Sequence, residues 1–455
     1  MQWIFKPNCV WFILSVETSQ AQKGMVILIR QSEVIRLIQS ELVPGVGCTE
    51  PAAIGLAASR TCCYLGTAPK GIKLIISCSI FKNAYSVKIP GAAKNGVELA
   101  AALGALLAKE ENTMELFSGV TKELVGQAEA LVAQGFVSLE VRMDSRFYIE
   151  VIAEAPQTVS RTITLDRHDQ IVFAERDGEV LLNQYAVASP VSAEEFDITV
   201  CKISDLIQLC QTVPLEEIQF LNRGIEMNQT VARIGLSESY GLGLGKSLLQ
   251  LTRTDPSNQS MSSYVKAHVT AACDCRMGGA PYPAMTVLGS GNQGFCTTLI
   301  AASAAEYLHA SQEQLLRSVM MSILITIYMK YHVGRLSPIC GASLAGAAGA
   351  GSITWLMGGT TEQIEGAIQN VFGNLSGMVC DGAKEGCALK LGNCAGEAVL
   401  AAYLALEGKI IQATDGIIGT SVEDTIKNIS LLSQRGMSAV DSTIISIMQA
   451  KRQVS

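Results

Sequence analysis

Charge, aromatic rings and histidine are all scarce in this chain of 455 residues. Charged residues make up 16%, aromatics 5%, and there are four histidines. The net charge of -7 gives a nucleic-acid backbone no electrostatic reason to bind. His168, His268, His309 and His332 include no pair at zinc-ligand spacing. No Gly-x-Ser-x-Gly elbow stands in a strand-turn-helix context, which argues against that form of serine hydrolase. The close-spaced CxxC pattern of zinc and ferredoxin-type sites is absent as well. No short-period repeat and no low-complexity tail is found.

What is abundant is small and apolar. Hydrophobic residues make up 49% of the chain, with 41 glycines, which suits tightly packed helices rather than a disordered chain. The length suggests two or three domains. Fourteen cysteines are scattered along the chain, where a disulfide framework would be short and regularly spaced. Free thiols point to a reducing cytoplasm. The segment Cys9–Val16 is apolar but is followed by no convincing cleavage site, so residues 1–26 read as a leader. The uncharged run from Leu336 to Thr361 is long enough to span a bilayer. Its Gly and Ser content favours a buried helix, and no membrane partner is expected.

In chain order, residues 27–42 carry apolar positions at helical spacing until Pro44-Gly45 stops them. Gly45-Val-Gly-Cys48-Thr49-Glu50-Pro51 then opens an Ala-rich helix to about Gly66. Cys48 therefore sits on a glycine turn at a helix N-terminus, where unpaired N–H groups and the helix dipole favour a thiolate. A plain helix cap with an incidental cysteine is the other reading. Strand patterns are expected at 73–80 and 83–91. Helices follow at 95–109 and 121–134, then strand patterns at 136–141, 147–153, 161–165 and 170–173. From residue 196 the pattern is helical. The fold class is α+β. A mostly helical catalytic domain (27–66 and 188–455) holds an inserted small α+β domain (67–187) with an antiparallel sheet. Residues 187–195 read as a linker.

Two glycine-rich stretches need weighing. Gly289-Ser290-Gly291-Asn292-Gln293-Gly294 matches GxGxxG after a strand-like segment, but no second parallel strand with a terminal acidic residue follows. It remains either a tight turn or an N–H cradle for an anion such as a carboxylate, with Asn292 and Gln293 adding hydrogen bonds. Gly241-Leu-Gly-Leu-Gly245-Lys246-Ser247 has the wrong spacing for a phosphate loop.

The stretch Ser337–Cys394 is the densest in candidate chemistry. Cys340, Cys380 and Cys387 lie beside glycine or in an Asp-Gly turn. They are either core cysteines or thiolates on backbone that must turn to approach a cluster. On an unbroken helix Cys380 and Cys387 would stand ~10.5 Å apart along the axis, at ~1.5 Å per residue. Shared ligation therefore requires a break, with Asp381-Gly382 and Gly386 as the candidates.

Taken together, six motifs carry a resemblance. They are Gly47-Cys48-Thr-Glu-Pro51, Lys82-Asn83 with Ile89-Pro90-Gly91, Asp274-Cys-Arg-Met-Gly-Gly279, Gly289–Gly294, Ser337-Pro-Ile-Cys340-Gly, and Cys380-Asp-Gly-Ala-Lys with Cys387-Ala-Leu-Lys390. In this order the chain resembles the iron–sulfur L-cysteine desulfidases, kin of the catalytic subunit of bacterial iron–sulfur L-serine dehydratases. The likeness runs from about residue 27 to the end; Cys275 and Cys394 fall outside its pattern. It implies a [4Fe–4S] cluster held by Cys340, Cys380 and Cys387, with the fourth iron open to an amino-acid substrate as a Lewis acid. It implies β-elimination to pyruvate and ammonia, with Cys48 as the base that removes the α-proton. Thr49, Glu50, Ser290, Gly291, Asn292 and Gln293 are the expected substrate-binding residues. L-Serine is the alternative substrate. An iron–sulfur sensor without activity, and a nicotinamide oxidoreductase through Gly289–Gly294, are alternatives of other classes. An assembly of identical chains is compatible with the sequence.

Overall fold

The computed structural model describes residues 31–92, 94–144, 146–185 and 196–452. The leader and the 187–195 linker lie outside the described residues. The chain begins with α1 (Gln31–Glu41), β1 (Leu42–Val46) and α2 (Thr49–Leu65). Pro44 does end the helical pattern, but the chain continues as a strand. β1 pairs antiparallel with a strand from the second half of the chain, Gly45 opposite Ala284.

A small lobe follows. It comprises β2 (Gly71–Ser77), α3 (Cys78–Ala84), α4 (Val97–Leu106), α5 (Lys122–Ala133), β3 (Val137–Arg142), β4 (Tyr148–Ala155), β5 (Thr158–Leu165), β6 (Ile171–Arg176) and β7 (Glu179–Asn183). The sheet order is β3-β2-β4-β5-β6-β7. Four pairings are antiparallel, but β2 and β3 run parallel, which the purely antiparallel expectation did not include. The strand expected at 83–91 is replaced by the end of α3 and a loop. β2 already has partners on both sides, Leu74 facing Leu139 and Val151. The segment after it instead turns inward, where Lys82 and Asn83 meet distant carboxylates. Tertiary pairing thus overrides local β-propensity.

Among the described residues the rest of the chain is helical, with Pro283–Val287 as its strand. It comprises α6 (Ile203–Thr212), α7 (Leu221–Ser237), α8 (Leu244–Thr254), α9 (Met261–Met277), β8 (Pro283–Val287), α10 (Gly291–Tyr307), α11 (Gln312–Val333), α12 (Gly341–Leu356), α13 (Thr361–Leu375), α14 (Cys387–Leu406), α15 (Val422–Leu431) and α16 (Val440–Arg452). The fold is mostly helical α+β, as the sequence indicates. One apolar core joins α6 to α15, and a second fills the small lobe around α2, α4 and the sheet. Cys48, at the start of α2, packs in the first core while Ala52–Leu65 pack in the second. The helix therefore spans the seam between lobes, with its N-terminus in the helical bundle.

Small residues permit the close crossings. α12 is almost entirely buried, as expected of the uncharged run, and α14 is apolar enough by composition to cross a membrane. α14 instead packs against α9, α12 and α13.

Candidate active site

Three turns bring the site together. At the first, Gly47 takes a left-handed φ of 71°, and a Cβ there would fall 2.6 Å from Pro90. That contact links the Gly47-Cys48 and Pro90-Gly91 motifs in space. Cys48 is the N-cap of α2, with an extended backbone and a side chain that does not cap. Its Sγ donates instead to Glu50 Oε2 at 3.1 Å. Burial pushes the thiol well above its ordinary range. The Glu50 carboxylate adds to the rise, and the nearby Arg276 opposes it. The helix N-terminus does not win here, so the depressed thiolate expected from the sequence is corrected to a protonated thiol. Desolvation of a fully enclosed sulfur outweighs the partial charge of the helix end.

Glu50 is the hub. It also accepts from Thr49 Oγ1 at 3.1 Å and Asn83 Nδ2 at 2.9 Å, and His168 Nε2 lies 3.8 Å from Oε1. Burial alone would raise this carboxyl, but His168 and Cys48 hold it down at about 2.

The second turn is Leu288-Gly289, both at positive φ. It folds α10 back along β8, so that Gly294 packs on the Met285 carbonyl. Ser290 caps α10 by accepting from Gln293 N at 3.3 Å, which commits its hydroxyl to the helix. Gly291 lies under Arg276, where a Cβ would come within 2.4 Å of Nε. Arg276 is 4% exposed. It donates from Nε to Gly47 O at 2.9 Å and from Nη1 to Asn292 Oδ1 at 3.0 Å. Among the described residues it has no carboxylate partner. A buried guanidinium without an acid is an incomplete arrangement that a carboxylate ligand completes. Asn292 Nδ2 reaches only the Met277 sulfur, at 3.5 Å.

The third turn carries the thiols. Ile339 and Val379 form an isolated antiparallel bridge. Cys340 N donates to Met378 O at 2.9 Å, and Cys380 N donates to Pro338 O at 2.7 Å. Residues 380–386 are not helical, and Gly382 has φ 92°. α14 begins only at Cys387, so the break required by the spacing is present. Lys390 donates to Val379 O at 2.6 Å and also holds Asp381. Together with Lys384 it keeps that carboxyl at about 2 against burial. Burial pushes Cys340 up to about 12, and the neighbouring Cys380 and Cys387 add to the rise. Cys387 is raised for the same reasons.

Two buried thiols that resist ionising, Cys340 and Cys387, fit a polycationic partner. Among the described residues no three His, Cys, Asp or Glu side chains stand close enough to hold one metal ion. The thiols are thus not spaced for a mononuclear site, whereas a cubane takes ligand sulfurs further apart. Lys330, buried between these loops, is pushed down to about 8 by desolvation, with Cys380 and Cys340 opposing. It donates to Gly334 O, Arg335 O and Ser337 Oγ at 3.0, 2.9 and 3.3 Å.

The two halves meet. Asn83 donates to Glu50 and lies 4.0 Å from Cys380 Sγ. Cys273 Sγ is 3.7 Å from Asn292 Oδ1, and burial above all, with Cys387, Asp274 and Cys340 adding, pushes its thiol well above the ordinary range. Gln293 Oε1 lies 2.5 Å from where a Cβ on Gly341 would stand. Residues 111–446 match the profile of the family described as serine dehydratase alpha chain. The chain belongs to the serine dehydratase alpha chain family. Membership places it among dehydratase-type lyases. It is 37% identical over 424 residues to a UPF0597 protein of Bacteroides fragilis, covering 92% of this chain and 98% of the relative. UPF0597 proteins of Clostridium tetani (37% over 422 residues) and Clostridium perfringens (36% over 420) cover the same shares.

In this serine dehydratase alpha chain relative, sequence reasoning assigned no role to Asn83, Arg276, Lys330 or Cys273. Asn83 and Arg276 lay inside the matched motifs, so a signal existed for them. Lys330 and Cys273 sit in helical runs that read as plain core. The glycine-rich segment before α8 is explained by Asp274, whose carboxylate accepts from Gly245 N at 2.9 Å and Leu242 N at 3.3 Å. That helix end is already neutralised, which leaves no phosphate cradle. Gly289–Gly294 follows a strand whose partner is antiparallel, which removes the basis for a dinucleotide unit.

Proposed function

We propose that this protein is a β-eliminating lyase that converts L-cysteine to pyruvate, ammonia and sulfide in the cytoplasm, with a [4Fe–4S] cluster on Cys340, Cys380 and Cys387. One observation carries the reading. The buried Cys48–Glu50 pair, with Arg276 on the adjacent Gly47 carbonyl, is joined to Cys380 by Asn83, which donates to Glu50 and lies 4.0 Å from the sulfur. When bound, the cluster would supply a Lewis acid at an iron without a protein ligand.

The chain's own groups divide the remaining work. Arg276 and Asn292 Nδ2 receive the substrate carboxylate. Gly291 lets the guanidinium approach, and Ser290 and Gln293 hold the start of α10 in place. Glu50 offers a counter-charge to the α-ammonium. In the free protein burial, with the Glu50 carboxylate adding, keeps the proton on Cys48; a substrate ammonium at Glu50 removes the carboxylate's share, and the thiol loses its proton to water before it acts. Cys48 is then the base for the α-proton, and Thr49 steadies Glu50. Sulfide leaves without help from an acid, whereas hydroxide needs one. L-Serine is the alternative substrate by the same mechanism, with the Lewis acid assisting departure of hydroxide.

The test is anaerobic purification, iron and sulfide analysis, and incubation with cysteine and with serine. Cysteine-dependent pyruvate and sulfide support the reading, and pyruvate from serine alone moves it to the alternative substrate. Iron without turnover of either makes the protein a sensor. Cys48→Ala should keep its iron and release almost no pyruvate; loss of iron would make Cys48 a ligand.

A further inference from the structure

His168 Nε2 is buried and has no hydrogen-bond partner. The residue sits on the β5–β6 hairpin of the small lobe, where Asp166 turns the chain at φ 61°. Its ring is fixed from two sides. The edge of Phe147 meets it at 4.9 Å between centroids and 72°, and a Cβ on Gly289 would fall 2.4 Å from Nδ1. Nε2 faces Glu50 Oε1 at 3.8 Å, and the other oxygen of Glu50 accepts from Cys48. The ring also lines a chamber of about 30 Å³, walled by Thr49, Asp169 and Gly289 among others. A space of this size has room for one water, with Thr49 and Asp169 as polar neighbours. Val43, Pro44, Met114 and Asp169 are shared with a larger groove of about 510 Å³ outside it.

The charges facing this ring come from several elements. Glu41 of α1 is tied to Arg335 of the loop before α12, and Arg167 lies 3.6 Å from Asp169 on the hairpin itself. These pairs offset one another. Among the described residues, Glu50 of α2 is the charged group that approaches Nε2, at 3.8 Å.

We propose that His168 carries protons between the Cys48–Glu50 pair and the water chamber. The inference rests on the lyase reading above. The α-proton taken by Cys48 crosses to Glu50, breaking S–H and forming O–H. The carboxyl then gives it to Nε2, and the imidazolium releases one N–H proton to the chamber water. The 3.8 Å gap closes to hydrogen-bond reach by a small movement, as is common when catalytic contacts tighten on substrate binding. His168 acts through Glu50 and is a positioning residue. It makes the small lobe part of the reaction.

The experiment uses the iron-loaded full chain. His168→Ala should lower kcat for cysteine by about 10²-fold with KM and iron content unchanged, and added imidazole should restore part of the rate. Wild-type kcat, or a loss that imidazole does not rescue, overturns the relay. Should the alanine variant fail to fold, His168→Gln takes its place. The same loss at unchanged KM supports the relay, and wild-type kcat overturns it. A wild-type protein that yields no pyruvate from cysteine or serine instead overturns the lyase reading, and the relay falls with it.

Discussion

Replacing Asp441 by asparagine removes one charge from an ion pair enclosed on both sides. Lys82 Nζ lies 2.6 Å from Asp441 Oδ1, with side chains 2% and 10% exposed. Ser79 Oγ donates to Oδ2 at 3.0 Å. Breaking such a pair on one side leaves an ammonium in a low dielectric and costs about 3–5 kcal/mol. The effect reaches the site because the Lys82 carbonyl packs on Gly382, where a Cβ would fall 2.3 Å away, and Asn83 follows directly. Asp441→Asn should therefore lower the unfolding free energy by that amount, read as a lower urea midpoint at unchanged m, and also lower kcat/KM. Lys82→Met with Asp441→Asn removes both charges, and the double variant should be less destabilised than the sum of the singles by more than about 1 kcal/mol. A single variant that loses under about 1 kcal/mol, or strictly additive effects, would refute the claim that the pair fixes this corner of the site.

Three further outcomes follow from the site geometry. Cys340→Ser, Cys380→Ser and Cys387→Ser should each lose cluster iron, while Cys62→Ser and Cys63→Ser keep it; iron analysis decides. Asn292→Ala should raise KM for cysteine by the equivalent of ~1–3 kcal/mol, read from steady-state kinetics. Glu50 is held at about 2 against an ordinary 4.5, so its folded value is depressed. It stabilises the fold fully above pH 4.5 and loses that contribution as pH falls towards 2. Glu50→Gln should therefore differ most from wild type in unfolding free energy at neutral pH, and the gap should shrink across that window.

The family and fold class of this protein were easier to read from its sequence than the geometry of its candidate site. The turn between Cys380 and Cys387 was legible because a helix cannot place both thiols at one site, and Asp-Gly supplies the break. The helices were legible from their period. The role of residues 83–91 was not, because Asn83 is fixed by Glu50 and Cys380, hundreds of residues apart in the case of the thiol. The ionisation of Cys48 was also misread. A helix N-terminus is visible in sequence, whereas full burial beside a carboxylate is not. Arg276 lay in plain view within a matched motif, but a guanidinium without a partner can be recognised only when its surroundings are known.

The ion pair of Lys82 and Asp441 joins the small lobe to α16, across 359 residues of chain. A ribosome releases Lys82 long before its counter-charge exists. Until α16 emerges, the ammonium stays in water or is enclosed at a cost, and the corner that carries Asn83 and supports Gly382 stays loose. A chain cut short of residue 441 contains every thiol and the whole acid–base pair but lacks this anchor. Closure of this corner therefore waits until the chain has been made as far as α16.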